Sequence, residues 1–136
     1  MNRLDPGFRK RLDLFEARLR EKGIRVKMVS GYRSLAEQDR LYAIGRTKPG
    51  RIVTKARAGY SWHNYGLAAD YAFLVKGRVT WQGPWQTFGE IARSCGFEWG
   101  GDWKRFTDRP HVQWRKGKSL AHMRRTFGTA KNAKGN

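Results

Sequence analysis

Two short segments carry the side chains best suited to chemistry: His63 and Asp70 in one, Asp108 and His111 in the other. Zinc hydrolases commonly hold their metal through two neutral imidazoles and one carboxylate, leaving a fourth position open for a water whose pKa falls to about 7. His63, Asp70 and His111 can supply those donors. A further ionisable group must then take the water's proton without binding the metal. Asp108 precedes the last candidate ligand closely enough to do so if residues 108–113 leave a loop and enter a strand. The competing reading of Asp108 is a cap for the turn leading into Pro110, for which Asp is well suited. A histidine followed by one aspartate is by itself a weak signal, because such pairs arise by chance.

The scaffold that must hold these groups is legible in the patterning of the chain. Asp5-Pro6 predicts an N-cap with proline at the first helical position, and Phe8, Leu12, Phe15 and Leu19 form one apolar stripe closed by Gly23. The stripe is short and bounded by ordinary caps, which reads as a core face rather than a membrane face. Ile24, Val26 and Met28 alternate with Arg25 and Lys27 as in a half-buried strand ending at Ser30-Gly31. Arg33 therefore follows a strand end, where a side chain is fixed at its base yet accessible. Ser34 to Glu37 reads as a capping box for a helix over about 35–44, ended by Gly45. Residues 45–59, rich in Gly, Pro, Arg and Lys and free of acids, read as a long, partly mobile basic loop with a short strand at Ile52-Val53-Thr54.

Leu67 to Val75 is apolar enough for a strand buried on both faces, followed by a Lys76-Gly77 turn and a returning strand from Arg78 to Trp81. That hairpin would carry Asp70 inward. Pro84 is predicted to start a third helix with Trp85, Phe88, Ala92 and Cys95 on one stripe, and Gly96 to end it. Short strands at Phe97–Trp99 and Pro110–Trp114 follow, then a fourth helix from Ser119 to about Phe127 with His122 on its surface, and a disordered tail over 128–136. The sum is one α+β domain over 1–136: a small, mostly antiparallel sheet with helices packed against it and the zinc site on its open face.

With 136 residues, one domain is the natural reading, and the chain is long enough to bury a core without staples. Its single cysteine, Cys95, excludes an internal disulfide framework and a cysteine-rich metal site, and it fits synthesis in a reducing cytoplasm. The first residues have no following apolar segment, and nothing approaches the roughly 20 apolar residues of a membrane span, so no export signal or anchor is expected. Twenty-nine Lys and Arg against eleven Asp and Glu give a net charge of +18, a field drawn to polyanions. Nucleic acid, anionic cell-wall polymers and lipopolysaccharide all qualify, and charge alone does not choose among them.

The order Ser61-x-His63-x-x-Gly66-x-Ala68-x-Asp70, then Asp108-x-Pro110-His111-x-Gln113, resembles the zinc D-alanyl-D-alanine carboxypeptidase family, and within it the phage L-alanyl-D-glutamate endopeptidases. Ser30-Gly31-Tyr32-Arg33-Ser34, Gln38-x-x-Leu41-Tyr42, Gly45-Arg46-Thr47-x-Pro49-Gly50 and Trp99-Gly100-Gly101-Asp102-Trp103 extend the resemblance to most of the chain. It implies one zinc per chain on His63, Asp70 and His111, Asp108 as general acid/base, and Arg33 holding substrate or a developing oxyanion. It also implies a substrate site that includes Gln38, Ser61, Trp99 and Trp103. The two tryptophans read equally well as core packing.

Three functions follow. The first, implied by the resemblance, is an endolysin that hydrolyses the L-alanyl-D-glutamate bond of peptidoglycan stem peptides. Such an enzyme would be a monomer made in the host cytoplasm and acting on the wall after release, held there by the attraction of its charge to anionic envelope polymers. The second is a D,D-carboxypeptidase acting on D-Ala-D-Ala. The third is a non-enzymatic nucleic-acid-binding module, against which stands the absence of zinc-finger spacing or an RNA-recognition motif. A glycan-cleaving pair drawn from acids such as Glu37, Glu90 and Glu98 is a further possibility that sequence distance cannot test.

Overall fold

Asp5 opens the first helix as its sequence predicts, its carboxylate accepting the Phe8 amide hydrogen bond at 3.0 Å. In the computed structural model, which describes residues 3–128, this helix, α1, runs Pro6–Glu21, and Gly23 leaves it at φ +78°. The tail beyond residue 128 lies outside the described residues. Phe8, Leu12, Phe15 and Leu19 are all fully buried, the expected result of apolar residues repeating at helical spacing.

Five strands follow the predicted order: β1 (Val26–Ser30), β2 (Ala68–Val75), β3 (Arg78–Thr80), β4 (Glu98–Trp99) and β5 (His111–Gln113). The sheet order is β1-β2-β5-β4, with β3 pairing the far end of β2, and every pairing is antiparallel. Because strand side chains alternate in direction, β2 divides its residues between two faces. Tyr71 and Phe73 meet α1 and α3 (Trp85–Ser94) through ring contacts: Phe15 to Tyr71 at 5.5 Å, Phe73 to Trp85 at 4.4 Å and Phe73 to Phe88 at 6.0 Å. Asp70 points to the opposite face. The architecture is therefore the expected α+β one, with the candidate metal ligands on the face away from these helices.

Phe15 stands at the centre of the core, its ring 5.1 Å from Phe88, 5.5 Å from Tyr71 and 5.6 Å from Phe97. Phe15→Ala would leave a cavity bounded by side chains from three elements. It should lower unfolding free energy by about 3–5 kcal/mol in a denaturant titration, and a loss under 1 kcal/mol would mean that the site collapses freely.

The helix α2 (Leu35–Ala43) begins at Ser34, whose hydroxyl accepts from the Glu37 amide at 3.0 Å, and Pro84 takes the N-cap position of α3 rather than its first turn. The predicted strand at Ile52-Val53-Thr54 is absent. Those residues join no ladder, and the segment is instead tied to α2: Arg46 donates to the Tyr42 and Thr54 carbonyls, and Gln38 to the Ala56 carbonyl at 2.7 Å. The last predicted helix divides into α4 (Leu120–Met123) and one wider π-turn, Arg124–Gly128. Among the described residues no helix is long and apolar enough to cross a membrane.

Candidate metal centre

Pairing of β2 with β5 sets Asp70 directly opposite His111. His63 arrives from a 3-10 turn, Trp62–Tyr65, whose sequence explains its geometry. The Ser61 hydroxyl accepts from the His63 amide at 3.2 Å, and the Asn64 side-chain oxygen accepts from the Gly59 and Ser61 amides at 3.0 and 3.3 Å. Gly66 ends the turn at φ +71°, where a Cβ would collide with the Arg3 and Asp5 backbone. The spacing of Ser61, His63 and Gly66 is thus a capped turn built to present one imidazole.

His63 Nε2 lies 3.2 Å from Asp70 Oδ2, and His111 Nδ1 lies 3.0 Å from Asp70 Oδ1. One donor atom from each of the three residues falls within 4.8 Å of the others, and both imidazoles are almost fully buried. His63 Nδ1 is 2.8 Å from the Gly31 carbonyl oxygen, an acceptor, so the ring proton sits there and the Nε2 lone pair faces the cluster. Burial alone would raise the Asp70 carboxyl, but hydrogen bonding from His111 and then His63, made when each ring carries a proton on the nitrogen facing Asp70, outweighs it and holds the group well below the usual carboxylate range. Burial would lower His111, yet its hydrogen bond to Asp70 and the charge of that group lift it above an ordinary histidine. Two imidazoles converging on one ionised carboxylate fit a divalent cation of borderline softness. Among the described residues this is the one such group of His, Cys, Asp or Glu, and His122 on α4 stands outside it.

Asp108 Oδ2 lies 3.9 Å from His111 Nδ1. The turn carrying it is closed by backbone bonds, Asp108 N to Gly100 O at 2.9 Å and His111 N to Asp108 O at 3.1 Å, so the side chain is not the turn's cap. A Cβ at Gly100 would overlap the Asp108 carbonyl, and glycine there is what lets the loop close against β4. Burial pushes the Asp108 carboxyl up, with the Asp70 charge adding to the rise and the two imidazoles opposing it.

These groups open into a cleft of about 830 Å³. Arg33, Ser61 and Trp103, three of the residues expected at a substrate site, line it, and the Trp103 ring lies 5.2 Å from that of His111. Two predicted substrate residues are placed elsewhere. Trp99 is buried on the helix side of the sheet, its ring against Gly89 and its Nε1 donating to the Arg109 carbonyl at 2.7 Å. Gln38 is fully buried behind Arg33, accepting from its Nη1 at 3.0 Å while Ser30 Oγ accepts from Nη2 at 3.1 Å. Gln38 therefore supports Arg33 from beneath. Sequence reasoning missed Lys55, Arg105, Arg115 and Phe106 on the cleft wall, residues without a motif of their own. Gln113 was visible only as a motif letter, although its place two residues after His111 on a strand puts both side chains on one face.

A family model described as D-alanyl-D-alanine carboxypeptidase matches residues 54–114, the span that holds all four chemical groups. The chain is 47% identical over 121 residues to the peptidoglycan L-alanyl-D-glutamate endopeptidase CwlK of Bacillus subtilis (strain 168), covering 81% of this chain and 72% of that protein. It is 41% identical over 58 residues to the L-alanyl-D-glutamate peptidase of Listeria phage A118, which is 39% of this chain and 20% of the phage protein. The crystal structure of the Serratia marcescens L-Ala D-Glu endopeptidase ChiX superposes with a TM-score of 0.58 at 28% identity, covering 82% of this chain and 80% of that one. With this ligand geometry on this sheet, the chain belongs to the D-alanyl-D-alanine carboxypeptidase family of M15 metallopeptidases.

Proposed function

We propose that this chain is a zinc peptidase that hydrolyses the L-alanyl-D-glutamate bond of peptidoglycan stem peptides, acting as an endolysin. The observation that carries the reading is the convergence of His63, Asp70 and His111 at the floor of a cleft with Asp108 beside them. The names of the Bacillus, Listeria phage and Serratia relatives supply the bond. His63 through Nε2, His111 through Nδ1 and Asp70 would hold one zinc ion, which when bound supplies a Lewis acid that polarises the scissile carbonyl and acidifies water. Asp108 takes a proton from the attacking water and returns it to the leaving amine nitrogen. Arg33, braced by Gln38 and Ser30, directs its guanidinium at substrate oxygens, to which its planar fork is matched. Lys55, Arg105 and Arg115 make the surrounding wall cationic, suited to a peptide that carries free carboxylates.

Mass spectrometry of purified peptidoglycan digested with the protein tests the reading. New N-terminal D-glutamyl and C-terminal L-alanyl ends are expected, abolished by chelation. Release of free D-alanine alone would assign the carboxypeptidase reaction instead. Cleavage that survives chelation would point to a carboxylate pair, although Glu98 is already committed to Arg115 through two hydrogen bonds at 2.7 and 3.2 Å.

The charge of +18 we assign to retention on anionic envelope polymers. Binding to isolated envelopes should weaken steeply with salt, since exposed charges are screened beyond about 8 Å at physiological ionic strength. Cleavage of a small soluble muropeptide should respond far less. Equal salt sensitivity for both substrates would place the effect in the cleft and defeat this assignment.

A further inference from the structure

His111 is a ligand through the nitrogen nearer its backbone, which requires that the other nitrogen carry the proton. The ring does not decide this for itself: both neutral tautomers of imidazole are accessible, and before metal binds the Asp70 carboxylate, 3.0 Å from Nδ1, draws the proton toward the ligating nitrogen. Its Nε2 lies 2.7 Å from Gln113 Oε1 in a buried contact. Gln113 could equally turn its amide the other way and offer an N–H to that nitrogen, and what stops it is Glu98. The Gln113 Nε2 group donates to Glu98 Oε1 at 3.1 Å, and a carboxylate has only acceptors to offer. Glu98 is itself held by three other donors: Arg115 Nε at 2.7 Å on Oε1, with Arg115 Nη2 at 3.2 Å and Trp103 Nε1 at 3.0 Å on Oε2. These bonds form a directed chain from Arg115 through Glu98 and Gln113 to His111.

We propose that Glu98 and Gln113 are positioning residues that fix the tautomer of His111, committing its Nδ1 lone pair to the metal while Glu98 also anchors Trp103 beside the same ring. The inference rests on the reading of His111 as a ligand. Neither residue belongs to the ligand cluster, and Gln113, although it borders the cleft, spends its side-chain amide on His111 and Glu98. Gln113 is 3% exposed, so no solvent is at hand to replace its oxygen as the acceptor for Nε2–H. Register explains why the chain can exist: β4 and β5 pair with Glu98 directly opposite Gln113, and Gln113 shares a face with His111. Outer groups of this kind commonly change metal affinity by about 10- to 100-fold when removed.

The test uses the full chain, with nitrogen-15 NMR of the His111 ring, zinc-loaded and after chelation at alkaline pH, beside zinc affinity by competition with a chromogenic chelator. In the zinc-loaded wild type the proton should reside on Nε2, and after chelation Gln113 Oε1 should keep a substantial share there against the pull of Asp70 on Nδ1. Gln113→Leu should shift the ring toward the Nδ1–H tautomer after chelation and bind zinc about 10- to 100-fold more weakly. Glu98→Gln frees the amide to turn, should shift the tautomers in the same direction, and carries the test if Gln113→Leu does not fold, since Glu98 is one-third exposed. The double variant Glu98→Gln/Gln113→Glu restores an acceptor against Nε2 and a donor opposite it, and should recover most of the affinity. Wild-type tautomer populations together with wild-type zinc affinity in Gln113→Leu or Glu98→Gln would overturn the proposal. A wild-type chain that binds no zinc would instead overturn the ligand reading, a separate failure that the tautomer measurement does not share.

Discussion

A chain carrying His63→Ala or His111→Ala should emerge folded and empty of zinc after dialysis, where the wild type retains close to one ion per chain, and its peptidase activity should fall below detection. The fold should survive because neither side chain holds it together. The turn at His63 is capped by Ser61 and Gly66, and His111 is held in the sheet by the backbone pairing of β5 with β2 and β4. What each variant removes is one of three donors on a site that has no fourth protein ligand among the described residues. Melting temperature supplies a control independent of activity. A ligand that binds only the folded state stabilises it by about 4 kcal/mol at a thousandfold excess over its dissociation constant. Chelator should therefore lower the melting temperature of the wild type and leave that of either variant unchanged. His122→Ala should behave as wild type in metal content, melting and activity. Full zinc occupancy in a dialysed His63→Ala or His111→Ala protein would strike that residue from the ligand set.

Much of this site was legible because its logic is local. Ser61, His63 and Gly66 are the cap, cargo and terminator of one turn, and Asp70 lies on a strand whose apolar run announces its central place. The stripe of α1 was readable for the same reason: caps and helical period are properties of neighbours in sequence. Trp99 stayed open between groove and core because a two-residue strand does not reveal which of its side chains faces the helices. That follows from the pairing of Trp99 with buried Val112, a fact of register. Gln38 was named as a substrate contact only through its place in a family motif, and a motif does not state burial. Its burial depends on the loop over 54–56 folding back to accept its amide. The same loop looked like a strand at Ile52-Val53-Thr54 from β-branched composition alone, but a strand needs a partner, and this segment pairs with none of the five strands.

Asp108→Asn should fold, bind zinc as the wild type does, and turn over at least a hundredfold more slowly. Its place is set by backbone, with the amide on Gly100, the carbonyl on the His111 amide and a glycine at 100 that admits the close approach. The substitution disturbs none of these contacts. What it removes is a carboxylate 3.9 Å from His111 Nδ1, near enough to the ligand cluster to exchange protons with water and leaving group, yet farther from that nitrogen than Asp70 is. The carboxyl is raised above an ordinary aspartate chiefly by burial, which brings it closer to the proton affinity a shuttle needs. General acid/base groups typically contribute about 10²- to 10⁴-fold in rate. The lower figure corresponds to roughly 2.7 kcal/mol at about 1.4 kcal/mol per tenfold. Because an amide retains the size and much of the polarity of the carboxylate, a purely structural residue would tolerate the change with turnover near normal. Asp108→Glu separates a lost proton carrier from a lost shape, since it keeps the carboxylate while moving it by one methylene, and it should recover part of the rate. A folded, zinc-loaded Asp108→Asn protein with near-normal turnover would sink the assignment, and Asp102, a neighbour held only by a 3.3 Å contact with Arg93, would be the next carboxylate to replace.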